Sequence, residues 1–151
     1  MSTSVPAVLA AYAAGLSARP ALAGVVVSLI DTGAWKSHEE IIFGQVTAPQ
    51  ARIDMDDPGT EESATLTGYL VVELGGDGDT AAATAQARAG VLLDEMVAQL
   101  DDDPDFGGAI PAGMAAPLLT QATWTTKRAD QDGASKIGVG IDWMITWSAD
   151  L

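Results

Sequence analysis

The chain has no cysteine, one histidine, few aromatic residues (5%), and seven lysines and arginines against 21 aspartates and glutamates. Each shortage closes off some chemistry. Without cysteine there is no disulfide framework, no thiolate nucleophile and no cysteine-ligated zinc, which fits a reducing compartment. A formal net charge of −14, with only Lys127 and Arg128 as adjacent cations, leaves little to displace counterions from phosphates. Tight nucleic-acid binding is therefore not expected. No apolar run approaches the roughly 18 residues that a membrane span needs. The opening stretch "MSTSVPAVLAAYAAGLSARP" lacks an early positive charge and is interrupted by Tyr12, Ser17 and Arg19, so it does not read as a signal peptide. These features predict a soluble, cytoplasmically made protein with no membrane partner.

What is present suffices for one core. At 151 residues with 48% hydrophobic content, the chain reads as a single domain over 1–151. Val5, Val8, Leu9, Tyr12 and Leu16 recur at helical spacing, and Pro6 suits a first turn, so a helix is expected from about Pro6 to Leu16. "GVVVSLID" (Gly24 to Asp31) reads as a buried strand, and Thr32 to Glu40 as a surface loop carrying Trp35. Strand-like content returns at Ile41–Thr47 and Ala51–Met55, punctuated by Gly44 and Pro49. "ATLTGYLVVEL" alternates, with Leu66, Leu70, Val72 and Leu74 on one face. From Ala81 to Leu100 the pattern is a long amphipathic helix, capped by Asp79 or Thr80, with Ala85, Ala89, Leu92, Leu93, Met96, Val97 and Leu100 sharing a face. Two strands close the chain. The last alternates Ile137, Val139, Ile141, Trp143, Ile145 and Trp147 against a small and polar face. The expected class is α+β: a mostly antiparallel sheet of four to five strands, with the long helix and the N-terminal helix packed on it.

Candidate chemical sites weigh poorly. Asp101, Asp103 and Asp105 have the alternate spacing of a calcium loop, but the sixth position is Phe106 and the twelfth is Ala112, and Pro104 sits inside. The structural alternative is a helix that ends at the aspartates, stopped by Pro104, with Gly107 and Gly108 supplying unusual backbone angles and Phe106 as an anchor. His38 is the lone histidine, nothing resembles a nucleophile elbow, and "GGDGD" lacks the Lys-Ser/Thr of a phosphate loop. The pairs Glu39/Glu40 and Glu61/Glu62 arise readily by chance in so acidic a chain. No catalytic, metal or cofactor residue is nominated, and the chain is not expected to be an enzyme. Trp143 and Trp147 read as core, and Trp35 beside Lys36 as the aromatic to expect at a protein interface.

Taken in order, an Ala-rich helix, a strand, a loop leading to "WKSHEEIIFG", the strand "TLTGYLVVEL", the helix "AAATAQARAGVLLDEMVAQL", the turn "DDDPDFGGAI" and two closing strands resemble the tail terminator (tail-completion) proteins of bacteriophages with long non-contractile tails. The family-like features are the Ala/Arg-rich "AQARAG" in the helix and the acidic-Pro-x-hydrophobic-Gly-Gly turn at Asp103 to Gly108. The resemblance covers most of the chain; "FGQVTAPQARIDMDD" matches weakly. It implies a homo-oligomeric, typically hexameric ring in the virion, assembled in the host cytoplasm. The ring would sit on the head-proximal end of the tail tube, stop addition of tube protein and meet the head–neck connector protein. DNA would pass through the lumen without specific binding, which an acidic wall suits. On this reading, subunit contacts fall partly in the Thr32–Phe43 loop, with Trp35 and Lys36 foremost. The acidic run Asp101, Asp102 and Asp103 would then face Arg52 or Lys36 of a neighbour. The alternatives are another ring of the head–tail neck or tail tube, an acidic calcium-binding module, and a small-ligand-binding or enzymatic domain.

Overall fold

The structure is a computed structural model, which describes residues 3–31, 38–52, 59–76, 78–111, 113–131 and 133–151, with side chains left aside at 51, 52 and 129–131. Helix α1 (Val5–Ser17) leads through a short 3-10 turn (Pro20–Leu22) to β1 (Val26–Ser28), β2 (Glu39–Thr47), β3 (Gln50–Arg52) and β4 (Thr60–Gly75). Helix α2 (Gly78–Asp102) follows, and then the hairpin of β5 (Leu118–Gln131) and β6 (Ala134–Asp150). The strands form one sheet in the order β1-β2-β4-β6-β5, with β3 pairing the start of β4 beside β2. The α+β class is as expected, but the sheet is mixed: β1 runs parallel to β2, and the other pairings are antiparallel. Among the described residues no helix is long and apolar enough to cross a membrane.

Both helices pack on one face of the sheet. The alternation of β4 and β6 decides which face, since neighbouring side chains on a strand point to opposite sides. Leu66, Leu70 and Val72 of β4 and Ile137, Val139, Ile141, Trp143, Ile145 and Trp147 of β6 are buried beneath the helices, as their spacing predicts. An aromatic chain runs through this layer: Tyr12 stacks on Phe43 (5.6 Å), Phe43 meets Trp143 edge-on (5.7 Å), and Phe106 meets Tyr12 and Trp147 edge-on. Each such pair contributes about 0.5–1.5 kcal/mol beyond area burial. The Tyr12 hydroxyl donates to the Met96 carbonyl (2.9 Å), and burial pushes its pKa far above the ordinary phenolic range.

The structure revises several details of the sequence reading. The strand expected over Gly24 to Asp31 is only Val26–Ser28, and Val26 and Val27 are half-buried. Helix α2 begins at Gly78, so Asp79 lies in its first turn, where the helix dipole favours a carboxylate. Its buried stripe is Ala85, Ala89, Leu92, Met96, Gln99 and Leu100, whereas Leu93 is half-buried and Val97 is exposed. Gln99 replaces Val97 because Gly15 lets α1 approach closely, and a Cβ there would overlap the Gln99 amide. The expected loop to Phe43 ends earlier. Glu39 and Glu40 already belong to β2, and Phe43 is core.

Candidate assembly surfaces

The acidic turn after α2 is a joint tied by its own hydrogen bonds. Asp103 Oδ1 accepts the Gly107 N–H (2.8 Å), and Asp105 Oδ1 accepts the Gly113 N–H (3.0 Å). Backbone bonds from Phe106 to Asp103 and from Ile110 to Asp105 close the same turn. Phe106, Gly107 and Gly108 all have positive φ (52°, 66° and 84°). For Phe106 this costs on the order of 1 kcal/mol. Burial of the ring between Tyr12 and Trp147 repays it, at roughly 1.5–3 kcal/mol for a side chain of this size. Asp102 accepts from Arg19 Nη1 (2.9 Å), Arg19 also bonds Glu95 and Gln99, and so the triplet is partly neutralised from the segment just after α1. Asp101 is exposed. Among the described residues, no three of His, Asp and Glu stand together to hold a metal ion. We expect Asp103→Ala to cost about 1 kcal/mol in urea unfolding, the price of one hydrogen bond, equally with and without calcium. A calcium-dependent rise in Tm that the substitution abolishes would restore the calcium-loop reading.

The remaining nominated residues are scattered. Trp35 and Lys36 lie outside the described residues. Arg52 pairs through its backbone with Thr60 at the end of β3, and its side chain is likewise outside the described set. His38 is exposed, with Nδ1 3.5 Å from Glu73 Oε1. Glu39 binds Arg88 of α2, and Glu40, buried, accepts from Ser28 Oγ (2.9 Å). Of the two carboxylate pairs, then, both members of Glu39/Glu40 are engaged within the fold. In the other, Glu61 lies on the opposite side of β4 from the buried Glu62.

Two surfaces emerge that the sequence reading did not single out. The sheet face away from the helices is open along β6, where Gly138 and Gly140 leave a shallow trough of about 420 Å³ between Tyr69 and Val71 on one side and Thr125 and Lys127 on the other. The Tyr69 hydroxyl donates to Asp31 (3.0 Å) at its margin, and burial, then that carboxylate, raises the Tyr69 pKa. The second surface is the β5 border. Trp124 points to the helix side, in register with Ile141, yet is 45% exposed because α2 stops short of covering β5. The signal for it was in the sequence: Trp124 stands among Thr123, Thr125 and Thr126, a polar setting that suits an outer strand.

The fold is thus a two-layer α+β domain with an unshielded border. No family model matches the chain, and no curated protein matches it. Among solved structures it is similar to a chain of the virion of a native gene transfer agent (GTA) particle, at 14% sequence identity, covering 93% of this chain and 94% of that one, with a TM-score of 0.43. A likeness at this level carries no argument about function.

Proposed function

We propose that this protein is a virion structural subunit of the tail-terminator kind. It would form a ring on the head-proximal end of the tail tube, occupy the surface to which the next tube subunit would add, and offer its other side to the head–neck connector. The observation that supports this best is the joint at Asp103 to Gly108. It docks the end of α2 into the aromatic core through Phe106, within the element order on which the family resemblance rests. The mechanism is occupation of a growing end, so no covalent step is needed. The net charge of −14 suits a ring through which DNA passes without sticking. Trp35, Lys36, Arg52 and the exposed Asp101 remain proposed contacts with neighbours. The deciding experiment is tail length in virions lacking the protein. Overlong tails are expected. Tails of normal length would sink the terminator reading and favour another ring of the neck.

A further inference from the structure

Two apolar patches lie on opposite borders of the same sheet. At the β5 border, Trp124 sits beside Gly90 of α2, near enough that a Cβ on Gly90 would lie 3.7 Å from the indole. Gln86 Nε2 donates to Thr126 Oγ1 (3.0 Å), which fixes α2 antiparallel to β5. Leu93 and Val97 therefore continue the strip along α2, as Ala122 and Leu119 do along β5. Helix α1 cannot cover it. That helix packs on the other side of α2 through Tyr12 to Met96, and the segment just after it does so through Arg19 to Glu95. At the opposite border, directly after β1, Leu29 and Ile30 are 50% and 68% exposed.

Charge singles out the same border. The sequence carries no carboxylate from Phe106 to Ala129, although the whole chain has 21, and Lys127 and Arg128 lie at the end of this stretch. Copies of a chain with net charge −14 repel one another over most approaches. Over Leu118 to Ala129, all of β5 before Asp130, another copy can approach without meeting an acidic side chain from the strand. The β1 border complements it: Val25 to Ile30 has no cation and leads into Asp31.

We propose that the β5 border is the seat for the β1 border of a second copy, with Leu29 and Ile30 on the strip around Trp124 and Val97, and Asp31 on the side of Lys127 and Arg128. This rests on the ring reading and names its subunit contact. Because the two patches lie on opposite borders, the contact is heterologous. It repeats head to tail and closes where the rotation permits.

The absence of cysteine makes a direct test possible. Ile30→Cys and Trp124→Cys are prepared separately and treated with a short bismaleimide, alone and mixed, with native mass spectrometry reporting assembly. The expected result is a covalent dimer in the mixture only. In addition, Trp124→Glu should weaken association about tenfold or more, as loss of an aromatic anchor does, with the far-ultraviolet circular dichroism of the parent retained. A Trp124→Cys dimer formed alone would mean β5-to-β5 pairing and overturn the proposal. Rings that form without the mixed crosslink would overturn the contact and leave the terminator reading standing. No assembly, in solution or on tube ends, would take both down.

Discussion

Gly68→Ala is expected to cost about 3 kcal/mol, at the upper end of overpacking penalties, and to lower Tm by roughly 10 °C in a chain of this length. Gly68 faces the helices between Leu66 and Leu70, in register with Phe43 and Trp143. A Cβ there would overlap the Ile42 carbonyl oxygen and Trp143 Cζ2, and would lie 2.7 Å from Trp143 Cη2. Neither neighbour can yield. The carbonyl belongs to the β2 backbone, and the indole is wedged edge-on against Phe43, which is itself stacked on Tyr12. Trp143 already carries one cost, since its buried Nε1 has no hydrogen-bond partner among the described residues. An orphaned buried donor costs about 1–3 kcal/mol. The ring therefore holds its place by shape, and shape is what the added methyl destroys. Gly140→Ala is the control: its nearest neighbour, the Leu70 carbonyl oxygen, would be 3.9 Å away, an ordinary contact. A thermal scan in which both variants melt with the parent would show that Trp143 has a second orientation of similar energy.

What the sequence made legible was periodic. The faces of β4 and β6, the body of α2, the core placement of Trp143 and Trp147, and the stop at Pro104 all follow from local spacing and local backbone chemistry. What it hid depends on partners far along the chain. The parallel pairing of β1 was not readable, because β1 is three residues long and its partner strand begins eleven positions further on. Val97 was assigned to the core by its spacing, yet it is exposed: which flank of an amphipathic stripe is covered depends on where α1 sits, and Gly15 decides that. The nominated contacts were also read locally. Asp102 and Asp103 also have partners that spacing does not show, Arg19 and the Gly107 N–H of their own chain. Glu62, dismissed as half of a chance pair, is the clearest such case, since the group it serves is 58 residues away.

Glu62 is fully buried and holds the N-terminus of α1. Ser4 precedes that helix but makes no side-chain cap of its own. Instead, Glu62 Oε1 accepts both the Ser4 N–H (3.0 Å) and the Ser4 hydroxyl, and Oε2 accepts from Gln50 Nε2 (2.9 Å). Trp147 Nε1 then donates to Ser4 Oγ (3.1 Å). A carboxylate supplied by β4 thus does for α1 what a local cap would do, in the place where the helix dipole favours negative charge. Burial alone would raise the Glu62 pKa, but hydrogen bonds from Ser4, Thr3, Gln50 and the Ser4 backbone outweigh it and hold it below the ordinary value of 4.5. The sign follows. A carboxyl whose folded pKa is depressed contributes stability that is fully present above its unfolded pKa and is lost as pH falls through the folded value. Glu62→Ala should cost about 3 kcal/mol at neutral pH, since it leaves Ser4 and Gln50 donors buried without an acceptor. Glu62→Gln should cost about 1–2 kcal/mol, because one oxygen still accepts while the charge at the helix end is gone. Urea unfolding from about pH 7 to about pH 3, spanning the carboxyl range, separates the two contributions. The gap between the parent and Glu62→Gln should close as the pH drops, because protonation removes from the parent what the substitution has already removed. Parallel curves across that window would mean that the charge contributes nothing at this helix end, and that Glu62 acts only as a neutral acceptor.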